Sequence, residues 1–439
     1  LILGCLIYIS FFFLIHKIIN RYIKSTKVYY IILFLILLIS QIVFVAIFRI
    51  IPNGEWDFGN VYKCAIEQIY GINSLNNSRY LIIYPNNVGI SIILTIVFGF
   101  FKVIGIHNYE IIGIILNIAI IDVAVLFLIK TIKLIFNEKQ TQFFSFLTII
   151  YIPFITYSPI YYTDTFALPF VSMALYFIAK IIKGDDDLKN IILAGFIIGL
   201  GINLKMTVII NLVAFIIYFI LSEKIKIKKI LIILVAALVP IFALKLYINM
   251  KFDSKELNRY SYPLTHWVMM GLEDWGGYSQ KAVDYTDSFK TKELKTKNNI
   301  KQIKKHINEY SKNHKLLDFY INKAVYTWGD GQYYVAQQLE RGQKYNYSIK
   351  NYVLESASGN NKYFKSISQI QHIVVLMFIL CGLLFRKYLS PQLKKIQLFS
   401  NISIFGIFLF LMIWEARSRY IFHFLPIILL VKNEIYILI

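Results

Sequence analysis

The chain has 439 residues, of which 57% are hydrophobic and 16% charged, with a formal net charge of +21. That balance excludes an ordinary soluble domain, which carries fewer apolar and more charged residues. Repeated apolar runs near the roughly 20 residues needed to cross a bilayer make the chain polytopic. The positive charge does not imply nucleic-acid binding, because many lysines fall in short loops between apolar runs, as the positive-inside bias predicts. Cys5, Cys64 and Cys381 are too scattered for a disulfide framework or a metal-spaced pair. The sequence has no His-His-acid metal spacing, Walker loop, dinucleotide fingerprint or Ser-centred hydrolase elbow.

In chain order, 1–15 reads as a first span, with neither the length nor the cleavage signature of a signal peptide. The chain starts without a methionine inside this run and stops at Ile439 inside another, so truncation at both ends is an open expectation. The basic loop HKIINRYIKSTK follows, and 29–51 then runs outward to the polar loop 52–87, PNGEWDFGNVYKCAIEQIYGINSLNNSRYLIIYPNN. Counting 88–104 as a span would put the basic stretch 130–139 outside and the loop around Asp164 inside, against the charge bias. The expectation is therefore that 88–104 dips into the outer leaflet and returns. Residues 111–129 then run inward and 143–157 outward, so Asp164 and Asp57 face the same side.

Residues 166–182 lead inward to KGDDDLKN, a solvated turn. The apolar stretch 191–221 is too long for one span and breaks at GINLK, 201–205, which predicts two short helices with Lys205 in or near the outer half of the membrane. A charge there costs about 2.5–3.5 kcal/mol on insertion scales. After the basic run 222–229, 230–249 runs outward to 251–371, a polar segment with a lysine-rich helical middle around 290–315. Residues 373–385, 396–413 and 421–430 complete the spans, with EARSRY at 415–420 on the outer side. The expected division is a membrane module 1–250 containing the external loop 52–87, an extracytoplasmic domain 251–371, and C-terminal helices 372–439.

Each candidate residue has a chemical and a plainer reading. Asp57 sits just past a span, where a carboxylate can deprotonate a hydroxyl, or is a loop acid at the interface, with Glu55 as the nearby substitute. Asp164, in SPIYYTDTF, is a second acid at that face or a helix N-cap. Two such carboxylates could bind a divalent metal through oxygen, but no further ligands stand nearby, so the metal stays open and no cofactor is required. Lys205 is an intramembrane cation awaiting an anion, such as a lipid phosphate, or snorkels to the interface. Arg417 and Arg419 lie on the outer side, where topology gives no reason for clustered arginines. They suit phosphate oxygens bidentately, or anchor at the interface with Glu415. Tyr84, in the Tyr84-Pro85-Asn86-Asn87 stretch, and the pair His266-Trp267 are candidates for sugar contacts, and equally for the core of a small domain.

The order span, acid, amphipathic segment, Tyr84-Pro85-Asn86-Asn87 and second apolar stretch resembles the first external loop of the GT-C superfamily of membrane glycosyltransferases, of the protein-mannosyltransferase and aminoarabinose-transferase kind. EARSRYIFHFLP resembles the Arg-Tyr and Pro pattern before the last spans of dolichyl-phosphate-mannose-type transferases, and His266-Trp267 a stretch in related enzymes of low-GC Gram-positive bacteria. The resemblance covers nearly the whole chain in architecture, although one span precedes the family's usual first. It implies an all-α polytopic membrane protein with a GT-C-like helical bundle, juxtamembrane helices in the first external loop and a small extracytoplasmic domain. It also implies transfer of a sugar, with inversion, from a polyprenyl-phosphate donor to an extracytoplasmic glycan, lipid or protein at the cytoplasmic membrane, in cell-envelope biogenesis. In that scheme Asp57 is the base, Asp164 supports the site or, as in the oligosaccharyltransferase branch, helps hold a divalent ion, and Lys205, Arg417 and Arg419 hold the phosphate. A flippase or polymerase of lipid-linked saccharides is the competing expectation.

Overall fold

The structure is a computed structural model that describes residues 1–436 apart from 24, 55, 186, 223–226, 346 and 355–359. Among these residues the only regular elements are helices, and the one β-bridge joins Ile50 to Gln343. Eight helices are long and apolar enough to cross a membrane. The chain is a polytopic all-α membrane protein.

Contacts between helix ends give each segment its direction. Helices α1 (Ile2–Tyr22) and α2 (Thr26–Phe48) run in opposite directions and both pack on the helix that begins at Glu138. Gly4 lies against Ile370 at one end of the bundle, and Lys139 donates to the Ile19 and Ile23 carbonyls at the other. Past α2 come three helices that stay at one end: α3 (Asp57–Ile69), α4 (Arg79–Ile83) and α5 (Val88–Val103). Helix α5 is apolar enough to span, yet it begins beside Tyr80 and Tyr162, and near its far end Lys102 donates to the carbonyl of Ile69. There Tyr70 also meets Tyr109, the first residue of α6 (Tyr109–Ile135), whose neighbour Glu110 pairs with Arg49 at the end of α2. Both ends of α5 thus lie at the same end of the bundle. The expected dip and return is instead one unbroken helix laid along that end, because 88–103 contains no turn that could reverse it.

Helix α7 (Glu138–Ile149) and the short α8 (Pro153–Thr156) return toward that end. Helix α9 (Thr163–Ile182) runs parallel to α6, with Tyr161 against Gly113 and Ser172 bonded to the Ala124 carbonyl. Helices α10 (Leu188–Leu204) and α11 (Ile209–Ser222) are the two short helices expected around 201–205, and α12 (Ile227–Lys251) lies parallel to α10. Small residues explain how closely these two approach: a Cβ on Gly199 would stand 2.2 Å from the Ala237 carbonyl oxygen, and one on Gly195 2.5 Å from that of Ile233.

Six helices then pack over the same end: α13 (Ser254–Tyr260), α14 (Leu264–Met270), α15 (Gln280–Asp287), α16 (Lys292–Lys312), α17 (Leu316–Trp328) and α18 (Val335–Leu339). Helix α19 (Lys362–Leu384) starts before its apolar run. Its first turns are held by Gln371, which bonds both the amide of Ile152 and the carbonyl of Ile150, and by His372 against Tyr333. Helix α20 (Pro391–Ile413) returns, and a 3-10 turn, Ser418–Phe424, leads into α21 (Leu425–Tyr436). Among the described residues, the basic ones of 16–23, 130–139 and 386–395 lie at the end opposite α3–α5, where Lys139 meets the Ile19 and Ile23 carbonyls.

Candidate active site

Asp57 is the first residue of α3, where unpaired backbone amides favour a negative charge. The loop 52–54 folds tightly over that turn, and only glycine fits at position 59, since a Cβ would lie 1.3 Å from the Asn53 carbonyl oxygen. A donor chain then orients the carboxylate. The Tyr162 hydroxyl donates to Asn87 at 3.4 Å, the Asn87 amide to the Tyr80 hydroxyl at 2.6 Å, and Tyr80 to Asp57 Oδ1 at 3.0 Å. Oδ2 is left facing Arg419 at 4.0 Å, and the side chain remains 45% exposed. Glu55, the substitute acid, lies outside the described residues.

Asp164, the second residue of α9, is the opposite case, with its side chain 1% exposed. It does not cap the helix, whose N-cap position is Tyr162 with Thr165 bonded back to it. Its carboxylate is ion-paired with Lys205 and lies 3.8 Å from Arg419. Lys205 follows the last turn of α10 in extended conformation, so its side chain leaves the helix and meets Asp164 with its ammonium 4.5 Å from the Tyr420 ring. Its partner within the protein is a carboxylate, where the sequence left a lipid phosphate or the interface open.

The two arginines separate. Arg417 is committed: it bonds the Tyr334 hydroxyl and pairs with Glu415 at 3.7 Å. Arg419 sits between Asp57 and Asp164, flanked by the rings of Tyr162 and Tyr420, and makes no hydrogen bond among the described residues. Its buried Nε has no acceptor. Much of this segment's position is imposed from outside it. The amides of Glu415 and Ala416 bond the carbonyls of Trp267 and Gly276, and Ser418 donates to Asp330 at 2.6 Å. Lys323, fully buried, donates to the carbonyls of Gly271, Met412 and Trp414. Burial pushes its pKa down to about 7, against the opposing field of Glu415.

Asp57, Lys205 and Arg419 line one cavity of about 540 Å³ with Tyr84, Trp267 and Trp414, while Ile241, Leu244 and Ile248 of α12 supply an apolar wall. Trp267 stacks near Trp414 with centroids 6.4 Å apart. His266 is turned away from it, fully buried with Nδ1 2.8 Å from the Thr286 hydroxyl. Desolvation, with Lys295 nearby, drops its pKa to about 3. A divalent cation does not fit this donor set: a guanidinium lies within 4.0 Å of both carboxylates, an ammonium pairs with one, and no group of three or more His, Cys, Asp or Glu converges among the described residues.

Tyr80, Asn87, Tyr162 and Tyr420 escaped the sequence reading. Asn87 stood in the quoted Tyr84-Pro85-Asn86-Asn87 stretch, but nothing local shows that its amide reaches Tyr80.

The sequence matches, over residues 1–436, the family described as conserved hypothetical integral membrane protein. The chain belongs to that family. No curated protein matches it. Among solved structures it is similar to two oligosaccharyltransferase structures from Archaeoglobus fulgidus. One is AglB in complex with an inhibitory peptide and a dolichol-phosphate, 12% identical with a TM-score of 0.48 over 94% of this chain and 51% of that one. The other, tethered to an acceptor peptide containing the NVT sequon, is 13% identical with a TM-score of 0.46 over 92% and 49%. The chain thus spans about half the length of these structures.

Proposed function

We propose that this family member is a glycosyltransferase of GT-C type that moves a sugar from a polyprenyl-phosphate donor to an acceptor hydroxyl. The supporting observation is Arg419, a buried guanidinium lining the cavity with no hydrogen bond among the described residues, beside the half-exposed carboxylate of Asp57. A mostly buried fork of donors that makes ion pairs at 3.8 and 4.0 Å but no hydrogen bond among the described residues matches phosphate oxygens. The Tyr162–Asn87–Tyr80 chain holds the base by Oδ1 and leaves Oδ2 facing Arg419 at 4.0 Å without a hydrogen bond among the described residues.

In this reading Asp57 Oδ2 takes the proton of the acceptor hydroxyl as its oxygen attacks the anomeric carbon. The bond from that carbon to the lipid-phosphate oxygen breaks, and the electron pair leaves with the phosphate. A single displacement inverts the anomeric centre. General-base assistance is worth roughly 10²- to 10⁴-fold, and Arg419 with Lys205 stabilises the charge that grows on the leaving phosphate. Asp164 is a positioning residue that sets both cations. Tyr84 and Trp267 offer ring faces to the sugar, whereas Arg417 and His266 act from behind the cavity wall. The basic loops at the opposite end favour an extracytoplasmic site by the positive-inside bias, with α13–α18 forming the external domain.

The test is sugar transfer by the purified protein in lipid, offered a panel of polyprenyl-phosphate sugars, for wild type, Asp57→Asn and Arg419→Ala. Transfer lost in Asp57→Asn with donor binding retained, and donor binding weakened in Arg419→Ala, is the expected outcome. A wild type that consumes no donor while labelled lipid crosses the bilayer would replace the transferase with a flippase.

A further inference from the structure

Helix α16 carries a charge pattern that the cavity chemistry does not use. Between residues 290 and 315 the sequence has nine lysines and two glutamates, whereas in the rest of 251–361 acids outnumber bases. The excess is therefore local to this helix. It is also directional. At 100° per residue, Lys297, Lys301, Lys304, Lys305 and Lys312 fall within about 100° of arc, and all five are exposed. The stripe runs for about 22 Å at 1.5 Å per residue. Two acids flank it: Glu293, one turn before Lys297, and Glu309 at its edge, 3.9 Å from Lys305.

The opposite face of α16 is spent on packing. Lys295 donates to the Tyr260 carbonyl, Asn299 accepts from Thr286, Ile303 packs on Met269 and Met270, and Tyr310 donates to the Leu272 carbonyl. Helix α14 in turn rests on the bundle through Trp267, which stacks near Trp414 and accepts the amide of Glu415. The lysine stripe thus lies on the side of α16 turned away from α14 and the membrane helices. At the start of the helix Lys292, on the packing face opposite the stripe, lines the cavity that holds Asp57, so the first turn of α16 borders the site and the stripe begins about 7.5 Å further along the axis.

We propose that α16 is the docking surface for a polyanionic acceptor, a soluble polymer bearing repeated phosphate or carboxylate groups, held on the outer face of the helix whose first turn borders the cavity. This identification of the acceptor rests on the transferase reading. A single anion needs converging donors, whereas five parallel ammonium groups along 22 Å match charge that repeats along a chain. Facing away from the bundle, they meet a polymer in water and not the bilayer surface. Exposed lysines act here through summed potential, which salt screens.

The experiment uses the full-length protein in neutral-lipid nanodiscs with fluorescent polyphosphate as probe and neutral dextran as control. The variant is Lys297→Gln/Lys301→Gln/Lys304→Gln/Lys305→Gln, whose exposed positions leave the melting temperature unchanged. Wild type binds polyphosphate but not dextran, and the variant binds it at least about tenfold more weakly with a flatter salt dependence. Asp57→Asn retains this binding, so a failed transfer assay and a failed docking surface are separately visible. Unchanged polyphosphate affinity in the variant overturns the proposal. So does a variant that loses affinity only for phosphatidylglycerol vesicles, which would make α16 a membrane contact.

Discussion

Asp57 and Asp164 lie in the first turns of α3 and α9 at one end of the same bundle, 4.0 and 3.8 Å from the same guanidinium, yet they occupy opposite electrostatic situations. Asp57 is 45% exposed, hydrogen-bonded by one neutral donor and 4.0 Å from Arg419, whereas Asp164 is 1% exposed and pairs with both Lys205 and Arg419. A carboxylate that already neutralises buried charge is poorly placed to accept a proton. One that is oriented by a tyrosine and remains 45% exposed is better placed. The same division appears in the cations, since Arg417 is hydrogen-bonded to Tyr334 and paired with Glu415, while Arg419 has ion pairs at 3.8 and 4.0 Å and no hydrogen bond among the described residues. Two identical side chains two residues apart therefore have different expected roles.

The largest effect that sharpens this contrast is on rate. Asp57→Asn is expected to lower transfer by roughly 10²- to 10⁴-fold with unchanged melting and donor affinity, measured by product formation and by donor titration. An equal loss accompanied by unfolding would erase the distinction. Asp164→Leu should act mainly on stability, because it strands the buried Lys205 ammonium at a cost of about 3–5 kcal/mol. Thermal unfolding in lipid reads this, and Asp164→Leu/Lys205→Met should regain most of it. If the double variant is as unstable as the single one, the pair is not the source of the loss.

A smaller effect separates the arginines. Arg419→Lys keeps charge but removes the planar fork, and should weaken donor binding about tenfold with little change in melting. Arg417→Lys is expected to leave donor binding close to wild type. Equal effects in the two variants would break the comparison.

The last prediction contrasts the two buried lysines. Lys205 has a carboxylate partner, whereas Lys323 has three carbonyls and a folded-state pKa pushed down to about 7. An unfolded lysine titrates near 10.4, so between about pH 7 and 10.4 the unfolded chain binds more protons at this position. Its contribution makes stability rise with pH across that window and is flat below it. Lys323→Met should reduce this slope in melting experiments across pH 7–9. An unchanged slope would mean that the three carbonyls hold the ammonium charged throughout.

The order of apolar runs and basic loops was sufficient for the all-α polytopic class, for the common side of Asp57 and Asp164, and for the helix break that delivers Lys205. These follow from sequence because the insertion cost of charge and the length of a span act on each segment separately. Segment 88–103 shows the limit: composition allows a span, and only its contacts with Ile69 and Tyr162 lay it along the end of the bundle. The pairing of Lys205 with Asp164, the difference between Arg417 and Arg419, and the donor chain through Tyr80 and Asn87 belong to the tertiary structure alone. Each joins residues from different helices, and a hydrogen bond or ion pair across 41 or 23 positions leaves no mark in the local pattern of either partner.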